Sequence, residues 1–232
     1  MSHEVRRAAG FFVAVVAVGL GLVLGFPKLF RFASGPELEI ITALKRTERD
    51  GLDVPLPGLT ARLVSSQHHY DRITVRLLGG AKEALAHATL DFRGQLGATE
   101  VSSLGVEEVT FQDREAGGWA PSEGPAPRLA AIVLALERRR QALEQGATPL
   151  LSALVGEATA SPDPEVARVL TLTHRVYRAR AWFIRAERDE VLVSEEYRLE
   201  GDLPDRPVDE SGTRRLKLAR KGREFFFSNG LM

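Results

Sequence analysis

The sequence has no cysteine, which removes disulfides, thiolate nucleophiles and thiolate-ligated zinc or iron–sulfur centres. It has no surplus of charge either, since 31 Lys and Arg face 31 Asp and Glu over 232 residues. Replacing counterions along a phosphate backbone requires a basic surplus, so nucleic acid is not expected among the partners. The glycine loops G-x-G-x-x-G and G-x-x-x-x-G-K-[ST] are absent, and no G-x-S-x-G presents a serine nucleophile. No metal and no cofactor are expected, and no grouping of acid, base and nucleophile marks the chain as an enzyme.

What stands out is an uncharged run over residues 8–27, rich in Phe11, Phe12, Val15, Val16, Leu20, Leu22, Leu24 and Phe26. Twenty residues make about 30 Å of helix, the thickness of a bilayer's hydrocarbon core. A cleaved secretory signal is the competing reading, but the run is long for a signal core and no A-x-A follows it. The reading adopted is a retained single-pass anchor in the inner (plasma) membrane. Arg6 and Arg7 on one side nearly balance Lys28 and Arg31 on the other, so charge alone orients the segment weakly. The usual signal-anchor arrangement leaves residues 1–7 in the cytoplasm and exports the rest. Gly21 and Gly25 form a small-xxx-small pair of the kind that lets two membrane helices pack, which makes a homo-oligomer an expectation.

Beyond the anchor the pattern divides into four parts. Residues 28–58 read as a juxtamembrane helix, opening at Pro36 and Glu37 with Leu38, Ile41, Leu44 and Lys45 at helical spacing, followed by a linker through Pro55, Pro57 and Gly58. Residues 59–115 read as an antiparallel β region. In 72–77 every second residue is apolar, and Ala84, Ala86, Ala88, Leu90 and Phe92 share one face of the next strand. A hairpin turn is placed at 94–97, with a further strand from Glu100 to Phe111. Residues 116–127 hold Gly117, Gly118, Pro121, Gly124, Pro125 and Pro127 and read as a linker. Residues 128–232 read as helix plus antiparallel sheet. Leu129, Ile132, Val133, Leu136 and Leu143 stripe a helix ended by Gly146, and Thr148-Pro149 opens a shorter one. Strands over 176–186 and 191–199 flank a charged turn, and Lys221-Gly222 joins two last strands.

The fold class is therefore α+β, a single transmembrane helix followed by an antiparallel sheet packed on helices. The order helix-then-strands occurs twice, which suggests two similar halves. In element order the chain resembles cystatin-like and nuclear-transport-factor-like (NTF2-like) rolls, and secretion-system components that carry such a roll behind an N-terminal anchor. That likeness is one of element order only; the anchor and the lack of a grouped acid, base and nucleophile lead to the expectation of an extracytoplasmic binding or assembly module of the bacterial envelope that does not catalyse, with lipid at the anchor and a protein partner elsewhere.

Three constellations carry candidate chemistry. His87, Thr89 and Asp91 share one face of a strand, with Glu100 placed across the hairpin from Asp91. That set offers a general acid and base in a small-ligand or weakly hydrolytic pocket, or a solvated sheet face. His68-His69-Tyr70-Asp71 holds two imidazoles, but neighbours on a strand point to opposite faces and do not share an ion. Arg214, Arg215, Lys217, Arg220, Lys221 and Arg223 put six cations within ten residues. They form either a basic patch for an anionic surface or a turn balanced by nearby Asp and Glu. Phe225-Phe226-Phe227 must face both sides of a strand, so both sides need cover.

Overall fold

In the computed structural model the described residues are 35–79, 82–114, 118–155 and 164–229. The run 8–27, with Gly21 and Gly25, lies outside them, and among the described residues no helix is long and apolar enough to cross a membrane.

Helix α1 (Gly35–Asp50) buries Ile40 and Leu44, one turn apart. Its last turns are pinned to the second strand. The Tyr70 N–H donates to the Glu48 Oε1 at 2.7 Å, Lys45 Nζ donates to the same oxygen at 2.9 Å and to the Tyr70 carbonyl, and Thr47 Oγ1 meets His68 Nε2 at 3.1 Å. Against the upward push of burial, the Tyr70 N–H and the Lys45 ammonium hold the Glu48 carboxyl below its ordinary range.

Strands β1 (Asp53–Pro55), β2 (Arg62–Leu78), β3 (Glu83–Leu96), β4 (Thr99–Asp113) and β5 (Trp119–Pro121) precede helices α2 (Pro127–Gln145), α3 (Thr148–Ala153) and α4 (Pro164–Thr171). Strands β6 (Thr173–Ala186), β7 (Glu190–Asp202), β8 (Pro207–Lys221) and β9 (Glu224–Asn229) follow. They form one sheet in the order β1-β2-β3-β4-β6-β7-β8-β9, with β5 paired to β4. All pairings between these strands are antiparallel except β4–β6, which is parallel from Glu100↔Ala181 to Gly105↔Ala186. The meander expected from the sequence thus has one parallel seam. The chain leaves β4 through helices, and a crossover of that kind returns the next strand in the same direction. Of the Gly/Pro stretch 116–127, read from the sequence as a linker, residues 119–121 form β5 and Pro127 opens α2.

α2 lies on one face of the sheet and buries Leu129, Ile132, Val133, Leu136 and Leu143. They meet Ala84, Ala86, Ala88, Leu90 and Phe92 from β3 and Val191, Val193 and Leu199 from β7 in a single core. At roughly 25 cal/mol per Å² of apolar area, this burial is the main favourable contribution to the fold. Gly146 ends α2 in the left-handed region at φ 69°, where only glycine avoids strain. The N-terminus of α2 has no side-chain cap of its own. Instead Glu107 reaches in from β4, its Oε1 accepting the Arg128 N–H at 2.6 Å and its Oε2 the Leu129 N–H at 3.1 Å. Its two oxygens satisfy two orphan donors of the helix.

Two strands run farther than the alternation indicates. β2 starts at Arg62 because bulges at Ser65/Gln67 and Asp71/Thr74 shift its phase, with Arg72 at φ 50° in the second. β8 starts at Pro207 because its first inward residues are Val208, Glu210 and Gly212, only half-buried. The β3–β4 hairpin pairs Leu96 with Thr99, so the turn is Gly97-Ala98 and Gly94 lies within β3. A side chain at Gly94 would meet the Val64 carbonyl at 2.2 Å. At Gly105, where β4 parts from β6, a Cβ would lie 2.2 Å from the Ala186 carbonyl. Gly105→Ala is therefore expected to cost about 1–3 kcal/mol, as overpacking does, measured by chemical denaturation; unchanged stability would show that the seam can open freely.

Candidate functional site

The interior of the roll, between α2 and the sheet, is filled. Arg139 of α2 and Glu195 of β7 are both 0% exposed, with Nη1 donating to Oε2 at 2.8 Å. The Tyr177 hydroxyl donates to the same oxygen at 2.7 Å, and Trp182 Nε1 donates to Oε1 at 3.1 Å. The rest of the Arg139 guanidinium lies by the rings of Tyr177 and Phe227, 5.9 Å from each centroid. Tyr177 stacks on Tyr197 at 5.4 Å, and Arg214, opposite Glu195 in register, sits 5.2 Å from the Tyr197 centroid. Burial and the neighbouring Glu195 carboxylate push the Tyr177 hydroxyl up, so it stays a donor. Under the first turn of α2 a void of about 10 Å³ remains, at the lower limit for one water. This cluster binds the helix to the sheet.

The outer face of the sheet, away from α2, is different. Leu104 on β4, Phe183 on β6 and Leu192 on β7 are 56%, 46% and 44% exposed. Leu104 and Leu192 flank Arg185, and Phe183 is two residues before it on β6. Neighbouring strands lie about 4.8 Å apart, so the three side chains form one apolar patch. The row through Phe183 runs Arg93, Ser102, Phe183, Ser194, Arg215 across five strands. Arg93 and Arg215, two strands away on either side, have no ion pair among the described residues. A shallow concavity of about 1030 Å³ covers much of this face.

The sequence-derived candidates fall as follows. His87, Thr89 and Asp91 do share a face, the solvent face. Glu100 pairs with Gln95, while Asp91 faces Leu104; the turn is nearer the end of the hairpin than 94–97 implied. Four residues of strand, about 13 Å, separate Asp91 from the row of Glu100, so the two carboxylates do not converge. His87 instead lies 3.8 Å from Glu108, which accepts from Arg220 Nη1 at 2.8 Å. His68 is buried and His69 exposed on opposite faces, and no group of metal-ligating side chains occurs among the described residues. The six cations of β8 and its turn divide between faces. Arg214 points into the core, Arg215 points outward, Lys217 pairs with Glu190 at 2.8 Å, Arg220 pairs with Glu108 and Arg223 with Glu123. Alternation along a strand disperses such a run. Phe225 and Phe227 enter the core, while Phe226 is half-buried beside a groove along α2.

No protein-family model matches this sequence, and no curated protein matches it. Among solved structures, a candidate ketosteroid isomerase from Shewanella frigidimarina covers 40% of this chain and 87% of its own, at 9% identity and a TM-score of 0.36. An NTF2-like protein involved in plasmid conjugation covers 74% of this chain and 78% of its own, at 9% identity and a TM-score of 0.34. The chain itself is an α+β fold built on one mixed sheet with helices packed against it.

Proposed function

We propose that this protein is a membrane-anchored, non-catalytic binding or assembly module of the bacterial envelope. Residues 8–27 hold it in the inner membrane, the region after Lys28 is extracytoplasmic, and the outer sheet face docks a protein partner. The observation that carries this reading is the exposed trio Leu104, Phe183 and Leu192, an apolar patch of the kind that marks interaction sites. Arg93 and Arg215 beside it favour a partner surface with an apolar knob flanked by carboxylates. The Glu195 carboxylate, taken up by Arg139, Tyr177 and Trp182, supports binding over catalysis in the interior.

A photo-cross-linking residue at position 183 or 104 of the full-length chain in cells tests this. A discrete protein adduct is expected, lost when Arg93→Glu and Arg215→Glu are combined. A probe at exposed Thr74 on β2 is the control. Adducts equally strong at position 74, or insensitive to both charge reversals, reject the docking face. Phe183→Asp is expected to abolish the adduct made through position 104 while changing stability by no more than about 0.5 kcal/mol, as exposed positions do.

A further inference from the structure

The side of α2 turned away from the sheet changes chemistry along its length. Pro127, Ala130, Ala131 and Leu134 form the floor of a groove of about 990 Å³, and Arg138, Gln141 and Gln145 continue the same stripe. Phe225 and Phe226 of β9, Val54 of β1, and Leu150, Ala153 and Leu154 wall it. The volume is that of a small-molecule site, which typically spans roughly 300–1,000 Å³. Ala130 and Arg138 are separated by about 12 Å along the helix axis. One end of the helix stripe is therefore apolar and the other carries donors, while Glu123, Arg223 and Glu224 also line the groove. The Arg138 side chain is exposed and has no ion pair among the described residues.

We infer that this groove holds an acyl chain of an anionic membrane phospholipid, with the chain over residues 130–134 and the headgroup at Arg138. The apolar floor of α2 offers a peptide backbone no partners, and an unpaired backbone polar group is costly away from water. The β9 edge beside the groove is closed to an added strand, since the Phe227 N–H donates to the Leu154 carbonyl at 3.0 Å. An acyl chain needs no hydrogen bonds, and a phosphate complements the free guanidinium. The source of lipid rests on the proposed anchor. Seven residues, 28–34, separate the apolar run from Gly35 in the sequence.

The test uses the full-length chain in phosphatidylcholine nanodiscs doped with phosphatidylglycerol bearing a photoactivatable acyl chain, with adducts mapped by peptide mass spectrometry. Adducts are expected on peptides covering 129–138 and 224–228 as well as on 8–27. Ala131→Trp fills the groove and is expected to lower groove labelling about tenfold, the equivalent of 1.4 kcal/mol, while labelling of 8–27 persists. Ala130→Leu is a milder filling should the tryptophan disturb folding, which far-ultraviolet circular dichroism reads. Arg138→Glu is expected to reduce labelling by the phosphatidylglycerol probe and to spare that by a phosphatidylcholine analogue. Labelling confined to 8–27 overturns the lipid site and leaves the anchored module standing. Labelling of neither region overturns both. Groove labelling that survives both filling variants, that arises only from a free photoactivatable fatty acid in solution, or that is replaced by cross-links to a second copy also overturns the inference.

Discussion

Glu195→Ala is expected to lose about 3–5 kcal/mol of stability, the usual consequence of leaving a buried charge without its partner. The carboxylate accepts from Arg139, Tyr177 and Trp182 at 2.7–3.1 Å, so its removal strands three donors, one of them a guanidinium with 0% exposure. Arg139→Met is expected to cost a similar amount by leaving the carboxylate uncompensated. The informative measurement is the cycle with Glu195→Gln. Arg139→Met combined with Glu195→Gln removes both charges and keeps an acceptor for the tyrosine and the indole, so the double variant is expected to lose less than the sum of the singles by on the order of 2–3 kcal/mol. Urea denaturation followed by tryptophan fluorescence reads it. Strict additivity would mean that the pair contributes nothing beyond packing.

Glu107 makes stability pH-dependent. Burial pushes its carboxyl up to about 7, against the Arg128 and Leu129 N–H groups, which pull it down. The folded state thus holds a proton that the unfolded chain, with an ordinary value of 4.5, has already released. Stability from this group is fully present below about pH 4.5 and is lost as pH rises through about 7, by on the order of 3 kcal/mol. Glu107→Gln carries no titrating proton, so its difference from the native protein is expected to shrink between pH 5 and pH 8. A difference constant across that range would mean that Glu107 remains ionised at the helix terminus throughout.

Glu195 and Arg139 each leave a trace in the sequence. Val191, Val193, Tyr197 and Leu199 share the inward face of β7, and the same alternation puts Glu195 among them. Leu129, Ile132, Val133, Leu136 and Leu143 stripe α2, and Arg139 fills a position in that stripe. A carboxylate and a guanidinium on two apolar faces must find each other or pay the desolvation of a lone charge. Arg214 is read as part of a basic run until the alternation with Leu216 and Leu218 is followed inward. The helix stripe, its glycine stop and the inward face of β3 are legible because each depends on near neighbours in sequence, as is the last hairpin, although Lys221 pairs with Glu224 and the turn is Gly222-Arg223, one residue beyond Lys221-Gly222. The cap of α2 is not, because Glu107 is twenty residues away and reaches it only once β4 is in the sheet. Nor are the bulges of β2, which interrupt a period-two pattern without leaving a breaker residue, or the parallel seam, which depends on where α2 packs. The pairing of Glu100 with Gln95 rather than Asp91 follows from a turn placed three residues later than Gly94 suggests.

The anchored module stands or falls on the state of residues 8–27 and the side on which the domain lies. Membranes are extracted with alkaline carbonate, and intact spheroplasts are then treated with protease, with antibodies to the domain and to the N-terminus following the full-length chain. Retention in the membrane pellet, with the domain degraded from outside, is the expected result. A full-length chain with an intact N-terminus in the soluble fraction, or a domain protected in spheroplasts until they are lysed, would contradict it.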